Sequence, residues 1–281
     1  MKRFPEKRVA ITGGASGLGK ALALRFAQSR WKVAIADIHD ARGQETLEEL
    51  QALGAEAFYQ RCDVTRVEHL QKLRDSLVQQ WGGLDVMINN AGVATHGPID
   101  TASLDDWDWV LDINLMGVVR GCKLFSELFK RQGGGYLVNV ASIAGLIYSP
   151  EMGSYNTSKA GVVALSETLR AELDPHNIGV SVVCPGFFQT NLAETARSPD
   201  AGAQQMINKL LGSSKIDAHQ IANTIFESVE KNRFWILPHA SYRYMWYLKR
   251  YLPFLYHRGM VSMAQKMVNK RLRSSGQVAT D

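Results

Sequence analysis

Residues 8–28 read RVAITGGASGLGKALALRFAQ, and the reading of this stretch decides the fold. Val9-Ala-Ile-Thr12 is a short run with β-branched members, GGASGLG interrupts it, and LGKALALRFAQ then repeats apolar residues at helical spacing. The pattern is strand, glycine turn, helix. Gly13, Gly17 and Gly19 stand where the backbone must turn tightly and where a phosphate could approach the start of the helix. Their spacing is GxxxGxG, not GxGxxG.

Downstream the same alternation continues. WKVAIAD is a second buried strand ending at Asp37, where a carboxylate can accept from both hydroxyls of an adenosine ribose and repel a 2′-phosphate. NAD is therefore favoured over NADP, a preference that Arg42 and His39 soften. After the helix ARGQETLEELQALG, the run EAFYQRCDV predicts a third strand ending at Asp63 and Val64. These two could flank an adenine, or Asp63 could simply cap a strand end. The helix VEHLQKLRDSLVQQWG leads to LDVMINNAG, a fourth strand closing on Asn89, Asn90, Ala91 and Gly92. Small and amide residues at that end leave room for a ligand at the carboxyl edge of a parallel sheet. A long amphipathic helix is expected from about Leu104 to Arg131. Asn114 inside it is a poor interior helix residue and marks a local bulge. YLVNVAS is the fifth strand, VSVVCPG the sixth, and a helix from about Ser154 lies between them. Strand and helix alternating in this way give an α/β fold, a Rossmann-like doubly wound parallel sheet built by right-handed crossovers.

Tyr155 and Lys159 are four apart, so on a helix the ammonium stacks near the phenol. A tyrosine is a poor base at its reference pKa of about 10, and a nearby cation stabilises the phenolate. Ser142, at the end of YLVNVAS, can aim a hydroxyl into the same cleft. The spacing alone occurs by chance in many helices, so the surrounding motifs must carry the reading.

Together, TGGASGLG at 12–19, NNAG at 89–92, Asn114, Ser142, Tyr155 with Lys159 and PGFFQT at 185–190 resemble the short-chain dehydrogenase/reductase family. The resemblance covers residues 7–230. It implies an NAD(H)-dependent oxidoreductase with Tyr155 as general acid/base and Lys159 lowering its pKa and binding the nicotinamide ribose. Ser142 would orient the substrate oxygen, and Asn114 would hold a proton-relay water. For the cofactor it implies Gly13, Ser16, Gly17, Leu18 and Gly19 around the glycine turn, Asp37, Asp63, Val64 and Asn90 on the adenosine half, and Phe188 and Thr190 at the nicotinamide. Phe187, Phe188, Ile147, Met152 and Leu192 fall where the family's substrate pocket lies. They suggest a bulky apolar secondary alcohol or ketone such as a steroid, retinoid or lipid-derived molecule. Residues 191–214 read as a mobile lid. By analogy with relatives, the Leu104 and Tyr155 helices would pair subunits into a homodimer or homotetramer. The competing functions are an NADP-dependent carbonyl reductase and a non-catalytic dinucleotide-binding regulatory protein.

Composition bounds these readings. With 281 residues, 46% hydrophobic and 21% charged, one large core is possible. Residues 1–235 are expected as the catalytic unit and 236–281 as a helical extension. No apolar run approaches the ~18 residues of a membrane span, and no signal-peptide core follows the basic start, so a cytoplasmic chain is expected. Cys62, Cys122 and Cys184 lie far apart without CxxC pairs, pointing to buried thiols and to no metal. The net charge of +5 resides in the tail: residues 231–273 hold ten Lys or Arg and no Asp or Glu. No nucleic-acid reading motif accompanies that charge. Between Tyr242 and Leu255, helical spacing puts Tyr244, Met245, Leu248, Tyr251, Leu252 and Leu255 on one face. From Met260 to Arg273, Met260, Met263, Ala264, Met267 and Val268 form another, opposite Lys266, Lys270 and Arg273. Such a basic amphipathic tail over 242–273 either lies on a membrane surface or docks on the body or a partner subunit.

Overall fold

The computed structural model describes residues 4–188, 192, 194, 196–198 and 216–274, the side chains of Lys270, Arg273 and Ser274 apart. Seven strands form one parallel sheet: β1 (Arg8–Thr12), β2 (Lys32–Asp37), β3 (Ala57–Arg61), β4 (Val86–Asn89), β5 (Gly135–Val140), β6 (Ile178–Val183) and β7 (Trp235–Ile236). Their order is β3-β2-β1-β4-β5-β6-β7. The chain builds outward from β1 to β3 and then returns to β4 beside β1. That reversal opens a crevice at the carboxyl ends of β1 and β4.

The central strands are buried on both faces, which is why they read as continuous apolar runs. In β1, Val9 and Ile11 point to one side with Val33, Ile35, Val86 and Ile88, where α1 (Gly17–Gln28) and α7 (Ala218–Glu230) supply Leu22, Phe26, Ile221 and Ile225. Ala10, Ala34, Met87 and Leu137 face the other layer. There α3 (Val67–Trp81), α5 (Gly117–Gln132) and α6 (Gly153–Leu173) contribute Leu73, Leu77, Phe125, Phe129 and Val162. Among the described residues, the remaining α-helices of the body are α2 (Asp40–Ala52) and α4 (Leu104–Leu111).

Three local readings change, and the bulge expected at Asn114 is present. The strand expected through Val64 ends at Arg61, so Asp63 and Val64 lie in the following turn, where Asp63 Oδ1 accepts from Thr65 N at 2.9 Å and Thr65 Oγ1 at 2.7 Å. The helix from Leu104 is divided by one π turn at Asp112–Met116. Asn114 causes this bulge by turning its amide inward: Oδ1 accepts from Val93 N at 2.8 Å, and Nδ2 donates to Val93 O at 2.9 Å. Strand β7 was absent from the sequence reading because its two residues are too few for a periodicity, although Trp235 and Ile236 pair with Val182 and Val183.

The third change concerns the tail. Its first segment is two helices, α8 (Ala240–Tyr251) and α9 (Pro253–Ser274), because Pro253 pushes Leu252 out of helical geometry, to φ −131° and ψ 58°. The face expected from Tyr244 to Leu255 is therefore split. Met245 packs on the body beside Tyr242 and Trp246, whereas Tyr244, Leu248, Tyr251, Leu252 and Leu255 are exposed. Specific bonds fix the docking: Lys249 Nζ donates to Leu146 O at 2.6 Å and sits 3.2 Å from the centre of the Tyr148 ring, and Tyr148 N donates to Tyr256 Oη at 2.9 Å. Further along α9, Arg271 pairs with Glu151 at 2.9 Å. On that helix Met260, Met263, Ala264 and Met267 are partly buried, while Val268 of the expected stripe is exposed.

Candidate active site

The glycine turn is closed by its neighbours. Gly13 has φ +62°, and a Cβ there would come 2.9 Å from Ala91 Cα. A Cβ on Gly19 would collide with the carbonyl oxygen of Gly13, so β1, the turn and α1 meet at a distance only glycine permits. Asn90 holds this arrangement from β4, its Nδ2 donating to Thr12 O at 2.9 Å and Gly13 O at 3.1 Å. Ser16, the N-cap of α1, makes no capping bond with its hydroxyl, and the first turn of α1 has no acid. The positive end of the helix thus opens on the cleft, a setting suited to an anion.

Asp37, at the tip of β2, is buried and pinned: Oδ2 accepts from Ala15 N at 3.0 Å, and Oδ1 from His39 N at 3.1 Å. Next to it, Arg42 forms an ion pair with Glu194 at 2.8 Å. One cleft of about 360 Å³ joins Gly13, Ser16, Gly17, Leu18, Gly19, Asp37, Asp63, Val64 and Asn90 at one end to Ser142, Tyr155, Lys159 and Phe188 at the other. Asn114 does not line it. That side chain is fully buried behind Gly92, and its Nδ2 also reaches Ser158 Oγ at 3.2 Å. Thr190 and nearly all of the expected lid at 191–214 lie outside the described residues.

At the reactive end, Ser142 leaves β5 as the N-cap of a 3₁₀ turn, its Oγ accepting from Ala144 N at 3.1 Å. It also hydrogen-bonds Tyr155. Lys159 is buried, donates to Val140 O at 3.1 Å, and stands 5.9 Å from the centre of the Tyr155 ring. Burial pushes the Tyr155 phenol above its ordinary value of 10.0, and Ser142 offsets part of that. Lys159 is itself desolvated, and burial pushes its ammonium down to about 8.

The residues fit a dinucleotide: a cradle that a Cβ would fill, an uncapped helix start, and a carboxylate held by backbone N–H groups. Several lining residues escaped the sequence reading. Thr95 Oγ1 bonds Ser154 Oγ at 2.7 Å, fixing the start of α6. Tyr242 and Met245 from α8 and Met263 and Met267 from α9 also line the cleft. The apolar stripe of the tail was visible, but its docking over the cleft depends on contacts more than 100 residues apart in sequence, such as Lys249 with Leu146. The three thiols are buried, and desolvation pushes Cys62, Cys122 and Cys184 each up to about 12, so none is a nucleophile near neutral pH.

Hydride-transfer enzymes need a phosphate-tolerant cradle and a proton acceptor in one cleft. This chain has both, and its class is that of an α/β oxidoreductase. A family model described as short chain dehydrogenase matches residues 7–201. The CLA biosynthesis dehydrogenase/reductase of Lactiplantibacillus plantarum is 34% identical over 262 residues, 86% of this chain and 91% of that protein. The C alpha-dehydrogenase of Sphingobium sp. is 31% identical over 255 residues, 86% of this chain and 84% of that one. A solved short chain dehydrogenase/reductase from Burkholderia phymatum, in complex with NAD, aligns with a TM-score of 0.85 at 33% identity over 89% of this chain and 95% of that structure. The chain belongs to the short-chain dehydrogenase/reductase family.

Proposed function

We propose that this protein transfers a hydride between NAD(H) and an apolar secondary alcohol or its ketone. The observation that carries this reading is the meeting of Ser142, Tyr155 and Lys159 in the cleft that also contains Asp37. When bound, NAD⁺ supplies the hydride acceptor at C4 of a cationic ring. Ser142 Oγ orients the carbinol oxygen, and Tyr155 Oη accepts the hydroxyl proton as the C–H bond gives up its electron pair, leaving a ketone. Lys159, anchored on Val140, holds the nicotinamide ribose and adds positive charge near the phenolate. Asn114 ties the loop after β4 to α6 and would hold on its backbone a water that relays the proton outward. Asp37 takes the adenosine ribose hydroxyls, and the Arg42–Glu194 pair occupies the cation a 2′-phosphate would need. The adenosine half further involves Asp63, Val64 and Asn90, and the nicotinamide end Phe188 and Thr190.

The alcohol side is walled by Ile147, Met152, Phe188 and Leu192 together with Met245, Met263 and Met267. Unbranched, polarisable methionines suit large and variable apolar shapes, favouring a lipid-derived, steroid-like or retinoid-like alcohol. We take residues 1–235 as the catalytic unit, and 236–281 as an extension that roofs its pocket. None of the described helices is long and apolar enough to cross a membrane, and contact of the extension with a membrane surface is part of the same reading. Assembly as a homodimer or homotetramer fits the exposed Leu104 and Met116.

Replacing Tyr155 with Phe tests the chemistry. Turnover with a panel of apolar secondary alcohols is expected to vanish while NADH still binds by fluorescence titration. Substantial residual activity would overturn the assignment of the base.

A further inference from the structure

Helix α8 is apolar on two opposite sides. Tyr242, Met245, Trp246 and Lys249, at the i, i+3, i+4, i+7 positions of one face, dock on the body. Tyr244, Tyr247, Leu248 and Tyr251 repeat the same spacing outward and are exposed, Tyr244 to 74% and Tyr251 to 71%. A helix needs one apolar stripe to dock, so the second is surplus to folding. It continues through Leu252 into the first turn of α9, where Phe254 (68% exposed) and Leu255 are also exposed and Arg258 lies over the Phe254 ring. Exposed patches of this kind on a soluble chain mark an interaction site.

The charge around the patch identifies its occupant. Arg243, Arg250, Arg258 and Lys266 are exposed beside it, and no acid occurs from 231 to 280. A second copy of this face would bring like charges together, whereas an anionic lipid surface would neutralise them while admitting the aromatic rings. On the inner side of the same two helices, Met263 and Met267 line the cleft. We infer that the outer face of α8 and the start of α9 seats on an anionic bilayer, with Tyr251 and Phe254 inserted, and that apolar substrate passes between bilayer and cleft under this roof. The seating stands independently of the chemistry; the passage of substrate rests on the oxidoreductase reading above.

The full chain should co-sediment with vesicles of mixed phosphatidylglycerol and phosphatidylcholine and bind pure phosphatidylcholine vesicles at least about tenfold more weakly. The double variant Tyr251→Glu, Phe254→Glu should lose about tenfold or more of that binding, as should Arg250→Glu with Arg258→Glu. Both keep the wild-type melting temperature because these positions are exposed. With NAD and a short, water-soluble secondary alcohol the variants should turn over like wild type, but with a long-chain secondary alcohol dissolved in the vesicles the rate should fall with binding. Absence of wild-type binding, equal binding by the variants, or conversion of a dimer to monomers by the variants with vesicle binding intact would overturn the seating. Lipid binding with no turnover of any alcohol would overturn the oxidoreductase reading and leave the seating in place.

Discussion

Lys159 Nζ stands 5.9 Å from the centre of the Tyr155 ring and donates to Val140 O at 3.1 Å. The phenol and ammonium share a dry pocket in which each disfavours its own charged form: burial pushes the tyrosine up and the lysine down. Holding both groups in that pocket is a strain of the kind that active sites commonly carry.

That strain has a measurable sign. The folded pKa of Lys159 is about 8 against 10.5 for the free side chain, so below pH 8 the native state carries a buried charge that the unfolded chain accommodates in water. The penalty is about 3 kcal/mol by linkage, and about 2 kcal/mol after allowing for the Val140 bond. Lys159→Met should therefore melt about 4 °C higher at pH 7 while losing activity. The difference should shrink as pH rises from about 8 to 10.5, where the unfolded state releases the proton it still held. Calorimetry across that range checks both the sign and the window.

Ser142 draws the Tyr155 phenol down through its hydrogen bond. Without it, the base should ionise at higher pH. For Ser142→Ala, the rising limb of alcohol oxidation against pH should move in the alkaline direction, and kcat should fall by about a hundredfold through loss of the oxygen-orienting hydroxyl. A variant whose limb stays in place would show that another group sets the ionisation.

Asp37 and the Arg42–Glu194 pair act together on the choice of cofactor. Asp37 is buried and held by two backbone N–H groups, so a 2′-phosphate would meet a fixed carboxylate. Replacing Asp37 with Ser should lower the ratio of kcat/KM for NAD over NADP by about tenfold or more. Adding Glu194→Gln should lower it further by releasing Arg42. A wild-type preference for NADP in initial-rate assays would contradict this account.

The glycine turn, Asp37, Ser142, Tyr155 and Lys159 were legible in the sequence because each sits where a strand or helix changes state, and punctuation is local. The bulge at Asn114 was legible for the same reason: one misplaced amide in a helical pattern. The destination of that amide was not, since Val93 is reached only through the fold. Strand β7 was too short to declare itself, and Pro253 as a helix break was hidden by an apolar stripe that ran through it. Methionines 263 and 267 read as an amphipathic face, but periodicity reports which residues share a side and never what that side covers.

At the amino edge of the sheet, far from the cleft, Arg8 and Asp85 form a buried pair: Arg8 Nε lies 3.1 Å from Asp85 Oδ2, and the Arg8 backbone N–H donates to the same oxygen at 2.8 Å. The guanidinium also reaches Trp81 O at 2.9 Å. Removing the carboxylate alone leaves a desolvated cation and an unsatisfied N–H, which costs about 3 kcal/mol or more. Replacing both partners with apolar residues of similar volume costs far less. Asp85→Ala should therefore lower the melting temperature by about 6 °C or more with turnover per folded molecule unchanged at 20 °C or so. The double variant Arg8→Met, Asp85→Leu should recover most of the loss. Equal destabilisation in single and double variants would mean that the backbone bond to Asp85, not the buried charge, carries the stability of this edge.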